Sequence, residues 1–124
     1  MMFDLSEEEA RLLLNVALMA TGRNRFQSAA KILAVLERFR PDQVSIANAK
    51  AIALISALKF AEAVDYIDRE GLVRFPESAM LKAFKGMALL RMDRRAEAEA
   101  PLRDAASQTE DPAAAKLAGD LLKG

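Results

Sequence analysis

The residue groups in this sequence that could do chemistry are few, and most of them are carboxylates. Asp65 and Asp68 stand three apart in "KFAEAVDYI", Glu7 to Glu9 run together in "SEEEAR", and Glu97 and Glu99 alternate with alanine in "AEAEA". Two carboxyl groups can divide acid and base work when a pocket drives their pKa values apart. Here they lie among Lys and Arg on what read as outer helix faces, so solvated surface is the expectation. Tyr66, the only tyrosine, sits beside Ile67 and reads as packing. Gly22, Gly71, Gly86, Gly119 and Gly124 form no phosphate-binding loop. The chain has no His and no Cys, which removes the commonest general base, the usual zinc ligands and thiolate chemistry. No catalytic residue, metal or cofactor is expected, and the chain does not read as an enzyme.

Charge narrows the partners. Lys plus Arg number 18 and Asp plus Glu number 18, so no overall field draws in nucleic acid or anionic lipid. Arg23, Arg25, Lys31, Arg38 and Arg40 make a basic run opposed only by Glu37. Without aromatic residues between them to stack on bases, a solvated or partner-facing side is favoured over nucleic acid. The start, "MMFDLSEEEAR", is acidic where a secretory signal would be basic, and "VSIANAKAIALISAL" is too short and too polar to span a bilayer. A cytoplasmic protein with no membrane partner is expected. At 52% hydrophobic and 29% charged residues over 124, the composition is that of a globular domain with a core of its own.

The elements follow from periodicity. In "RLLLNVALMA" Leu14, Ala17 and Leu18 fall at helical spacing, and in "AAKILAVLERF" Ile32, Leu33, Leu36 and Phe39 share one face. Ser6 followed by Glu9 is a capping box that starts the first helix. Gly22 should end it, Pro41 the second and Gly71 the fourth, while Pro76 and Pro112 sit where the next helices start, with Asp111 as N-cap for the last. The expectation is all-α, with seven helices over about 6–21, 25–39, 42–57, 60–71, 77–92, 94–108 and 112–122.

"RFQSAAKIL", "KFAEAVDYI" and "RRAEAEAPL" then align. Phe26 and Phe60 are 34 residues apart, as are Ala29 and Ala63, and Ala98 follows Ala63 by 35. A helix–turn–helix at this period resembles the tetratricopeptide repeat (TPR). The TPR pattern wants small residues at repeat positions 8 and 20, a large apolar one at 24, a small one at 27 and Pro near 32. Position 8 holds Ala17, Ala51 and Gly86; position 20 holds Ala29, Ala63 and Ala98; position 24 holds Leu33, Ile67 and Leu102. Pro41, Pro76 and Pro112 close the repeats. The departures are Leu13, Ala47 and Lys82 in place of an aromatic at position 4, Lys50 and Lys85 at position 7, and Leu36 and Glu70 at position 27. A join, "GLVRF", adds a residue or two after the second repeat. The resemblance implies a single α-solenoid domain, 1–124, with repeats at about 10–43, 44–77 and 79–112 and a capping helix at 112–122.

A TPR stack works through the concave surface lined by the first helix of each repeat. Carried onto this chain, that surface comprises Leu14 and Leu18, then Asn48, Ile52 and Ile55, then Met80, Ala83, Phe84, Met87 and Leu90. TPR clamps for C-terminal carboxylates use Lys, Asn and Arg at several such positions. Leu14, Leu18, Ala49, Met80 and Phe84 contradict that use. What remains is a groove suited to the apolar face of a helix, with methionines that pack adaptably.

Size, repeat count and groove character together resemble the small TPR needle-subunit chaperones of bacterial type III secretion. The resemblance implies a cytoplasmic chaperone that holds the amphipathic helix of a needle subunit, with a small helical co-chaperone docking on its side. Two alternatives stay open: a TPR adaptor or assembly factor for another complex, and a self-associating helical protein, which would include an unliganded homodimer that covers the groove.

Overall fold

A computed structural model describes residues 5–124 of the chain. Among the described residues every regular element is helical. Seven helices follow one another: α1 (Glu7–Gly22), α2 (Phe26–Phe39), α3 (Val44–Ser56), α4, α5 (Ala79–Arg91), α6 (Arg95–Ser107) and α7 (Pro112–Lys123). Helix α4 runs from Phe60–Tyr66 through a π-helical turn, Ile67–Gly71, into Leu72–Arg74. No described helix is long and apolar enough to cross a membrane.

Local chemistry starts the helices where expected. Ser6 Oγ accepts the Glu9 N–H at 3.1 Å, and Glu9 Oε1 accepts the Ser6 N–H at 3.0 Å, which completes the capping box. The bond from the Ser6 N–H, with the Ser6 hydroxyl as a second contribution, holds the exposed Glu9 carboxyl below its ordinary pKa. On either side of the box, Leu5 and Ala10 are buried in one cluster, as in a hydrophobic staple. Asp111 Oδ1 accepts the Ala114 N–H at 3.2 Å with Pro112 in the first turn of α7. Helix α5 begins after Pro76, at the N-cap Ser78, whose hydroxyl accepts the Leu81 N–H at 3.2 Å.

Gly71 does not end α4, and this corrects the sequence expectation. Its φ is −61°, an ordinary helical value. A Cβ there would come within 3.2 Å of Leu81 Cδ1, so the glycine serves a close approach of α5 rather than a stop. The π turn beside it, where the Leu72 N–H reaches the Ile67 carbonyl, takes up extra residue length inside the helix. Much of the supposed "GLVRF" join is therefore helical. The insertion that lengthens the second interval to 35 residues is absorbed without breaking the element.

The chain divides into two compact units, Met1–Ala57 and Leu58–Gly124. The division falls inside the second of the repeats expected from the sequence, 44–77. In the first unit α1 packs on α2, α2 on α3 and α1 against α3. Leu33, Leu36 and Ile46 fill the core between Ala10, Ala17 and Ala49. In the second unit α5 packs on α6, α6 on α7, and both α4 and α7 against α5. Its core gathers Leu89, Leu102, Ala98, Ala105, Ala114 and Ala118.

The repeat period is visible in burial and in backbone. Ala17, Ala51 and Gly86 are buried; so are Ala29, Ala63 and Ala98, and Leu33, Ile67 and Leu102. The three non-glycine residues with left-handed backbone among those described are Asn24, Leu58 and Asp93, 34 and then 35 residues apart. After α1 the Arg25 N–H reaches the Ala20 carbonyl at 2.8 Å, and after α5 the Arg94 N–H reaches the Leu89 carbonyl at 2.9 Å. The same six-residue closure thus ends both helices.

Asn and Asp tolerate the left-handed conformation; leucine does not, at a cost of roughly 1–2 kcal/mol. Leu58 is also 66% exposed, so its side chain recovers little by burial. Leu58→Asn is therefore expected to raise stability by about 0.5–1 kcal/mol, read as a higher urea midpoint at unchanged slope.

Candidate protein-binding surface

The residues expected to line a groove are divided between the two units. In the first unit α1 and α3 carry them. Leu18 is 42% exposed, Leu14 is half-buried against the core, and Asn48 and Ile52 are half-buried. Ile55 is buried, at 7% exposure, and offers almost no surface to a partner. The Asn48 Oδ1 oxygen is buried without a hydrogen-bond donor. A cavity of about 290 Å³ opens along Glu7, Ala10, Arg11, Leu14, Gln43 and Ser45. It lies where α1 and α3 begin, and Leu14 is the one expected groove residue in its lining.

In the second unit α5 carries the remaining candidates. Met80, Phe84, Met87 and Leu90 are half-buried, whereas Ala83 is fully buried and belongs to the core. Met80 and Leu90 pack into the cluster that also takes Leu117, Leu121 and Leu122 of α7. Part of their surface is thus already taken up by the core of this unit. Phe84 and Met87 remain the candidates on α5 outside that cluster.

The lysines that depart from the repeat pattern are satisfied within each unit. Lys50 Nζ on α3 meets Glu37 Oε1 of α2 at 2.8 Å, and Lys85 Nζ on α5 meets Asp68 Oδ1 of α4 at 2.8 Å. Both stand at the same repeat position and tie a first helix to the second helix before it. Lys82 Nζ, 2.6 Å from Asp104 Oδ2, holds that carboxyl below its usual pKa by hydrogen bonding. Glu37, which alone opposed the basic run of α2, is therefore engaged with α3.

The carboxylate groups behave as surface. Asp65 pairs with Arg69 at 2.8 Å on the exposed side of α4, and Asp68 is turned to Lys85. The Glu97 carboxyl is held below its ordinary value by a hydrogen bond from Arg94, and the exposed Glu99 faces Arg103. Tyr66 is 5% exposed and its hydroxyl lies 3.4 Å from Arg74 Nη2. Among the described residues no three His, Cys, Asp or Glu side chains converge to hold a metal ion.

One surface escaped the sequence reading. Helix α1 exposes Leu12 (64%), Val16 (42%) and Met19 (56%), and Val35 of α2 is exposed as well. The signal was present in "RLLLNVALMA", which is apolar on nearly every side where an ordinary surface helix keeps one polar face. Comparison with protein-family models, curated proteins and solved structures returns no match.

Proposed function

We propose that this chain is a non-catalytic TPR-type binding module, a small chaperone that holds an amphipathic helix of a secreted needle subunit in an apolar groove. The observation that carries the reading is the recess between the starts of α1 and α3, continued along α1 by the exposed Leu18. Half-buried Ile52 in the first unit, and Phe84 and Met87 in the second, are each apolar positions of the kind a helix's apolar face covers. Methionine adapts its shape to such a guest. The burial of repeat positions 8, 20 and 24 supports the TPR assignment. The carboxylates are ion-paired or exposed, and the cytoplasm is the proposed compartment.

Affinity purification from the native cells with mass spectrometry identifies the guest. Binding is then measured for Leu18→Asp and for the double variant Ile52→Asp/Phe84→Asp, with circular dichroism of each free protein. Burying one apolar side chain is worth roughly 1.5–3 kcal/mol, and a buried unpaired carboxylate costs more, so each variant should bind tenfold more weakly or worse. Helicity should stay intact, most clearly for Leu18→Asp, because Leu18 is already exposed. Normal binding by a folded Leu18→Asp protein places the site elsewhere and overturns the proposal.

A further inference from the structure

The outer side of α1 is an apolar stripe with a charge at either end. Helix geometry sets Glu8, Leu12, Val16, Met19 and Arg23 within about one-third of the circumference, at 100° per residue. The stripe lies roughly 140° around α1 from Leu14 and Leu18, so it is independent of the groove proposed above. Leu12, Val16 and Met19 are exposed, as are Glu8 and Arg23 at the two ends. Neither Glu8 nor Arg23 is among the ion pairs formed by the described residues.

We infer that this stripe docks a second copy of the chain, with the two α1 helices antiparallel about a two-fold axis between Asn15 and Val16. The stripe is complementary to its own reverse. With the axis there, Glu8 of each copy faces Arg23 of the other, Leu12 faces Met19, and the two Val16 side chains meet near the centre. A symmetric dimer uses one patch twice, so every favourable pairing is doubled. Helix dipoles oppose in an antiparallel pair, and the acidic first turn of α1, Glu7 to Glu9, falls by the basic stretch Arg23 to Arg25 of the other copy. A cleft of about 230 Å³ between α1 and α2, lined by Leu13, Lys31, Ile32 and Val35, gives the Met19 side chain of the second copy a seat. Helix α1 is 16 residues, about 24 Å, long. A contact of that length is at the small end for stable complexes, so the dimer is weak and concentration-dependent.

Sedimentation velocity of the full chain at low salt, over a wide concentration range, tests this. The expected result is a monomer–dimer equilibrium that the double variant Leu12→Glu/Met19→Glu abolishes, with helicity retained because both positions are exposed. Glu8→Arg and Arg23→Glu should each weaken self-association by about fivefold to tenfold, since each puts like charges at both ends of the interface. Mixing those two single variants should restore it, because the mixed dimer again pairs opposite charges at each end. A monomer at every concentration overturns the proposal. So does a dimer indifferent to Leu12→Glu/Met19→Glu, which would place self-association elsewhere, on the groove for instance. Failure of the mixture to recover overturns the antiparallel register.

Discussion

Gly86→Ala is expected to destabilise the protein, although the same change inside most helices stabilises by about 0.5–1 kcal/mol. A Cβ on Gly86 would fall inside the van der Waals envelope of Leu102 Cγ and Cδ2, with Cδ1 at 3.2 Å. Leu102 is 1% exposed and packed in the cluster with Ala98 and Ala105, so any shift that makes room for the methyl disturbs a buried neighbour. Overpacking of this kind costs about 1–3 kcal/mol, which exceeds the propensity gain. Gly86→Leu should cost more and is expected to leave the second unit poorly packed. Leu102→Ala alone should cost about 2–5 kcal/mol by opening a cavity. The two alanine changes together should cost less than their sum, because the smaller side chain at 102 makes room for the methyl at 86; couplings between touching residues run to about 0.5–3 kcal/mol. Urea denaturation of the two single variants and the double variant measures this. Full additivity would show that Gly86 and Leu102 do not share one space.

Leu36→Ala is expected to lower stability by about 2–5 kcal/mol, even though alanine is what the repeat pattern would put there. Leu36 has no exposed surface and sits in the core of the first unit beside Leu33 and Ile46, with Leu13, Ile32 and Phe39 packed around it. Truncation would leave a void that these neighbours fill only partly. Glu70 is the control at the same position of the second repeat. It is exposed, and its pairing with Arg74 at 3.8 Å is a surface contact, so Glu70→Ala should change stability by no more than about 0.5 kcal/mol. The difference in denaturation midpoint between these two substitutions checks whether the departures from the pattern follow burial. Equal effects would mean that they do not.

The helices and their period were legible in the sequence by itself, because both are written in local chemistry. Ser6 with Glu9, and Asp111 with Pro112, satisfy backbone groups within one turn, so short stretches of chain suffice to place those starts. The period appeared as Ala29, Ala63 and Ala98 because a close helix crossing excludes larger side chains wherever it recurs. Gly71 was misread because a glycine at a helix end and a glycine under a neighbouring side chain look alike in sequence; only the position of Leu81 distinguishes them. The candidate surface was legible in part. Periodicity puts Leu18 and Ile55 on the same list, but tertiary packing leaves Leu18 exposed and covers Ile55, and it places Ala83 fully in the core. Whether Leu12, Val16 and Met19 face a neighbour or solvent was likewise undecided in a helix apolar on nearly every side. That choice depends on which side of α1 receives α2 and α3, residues distant in the chain, and so it is made only when the hairpins pack.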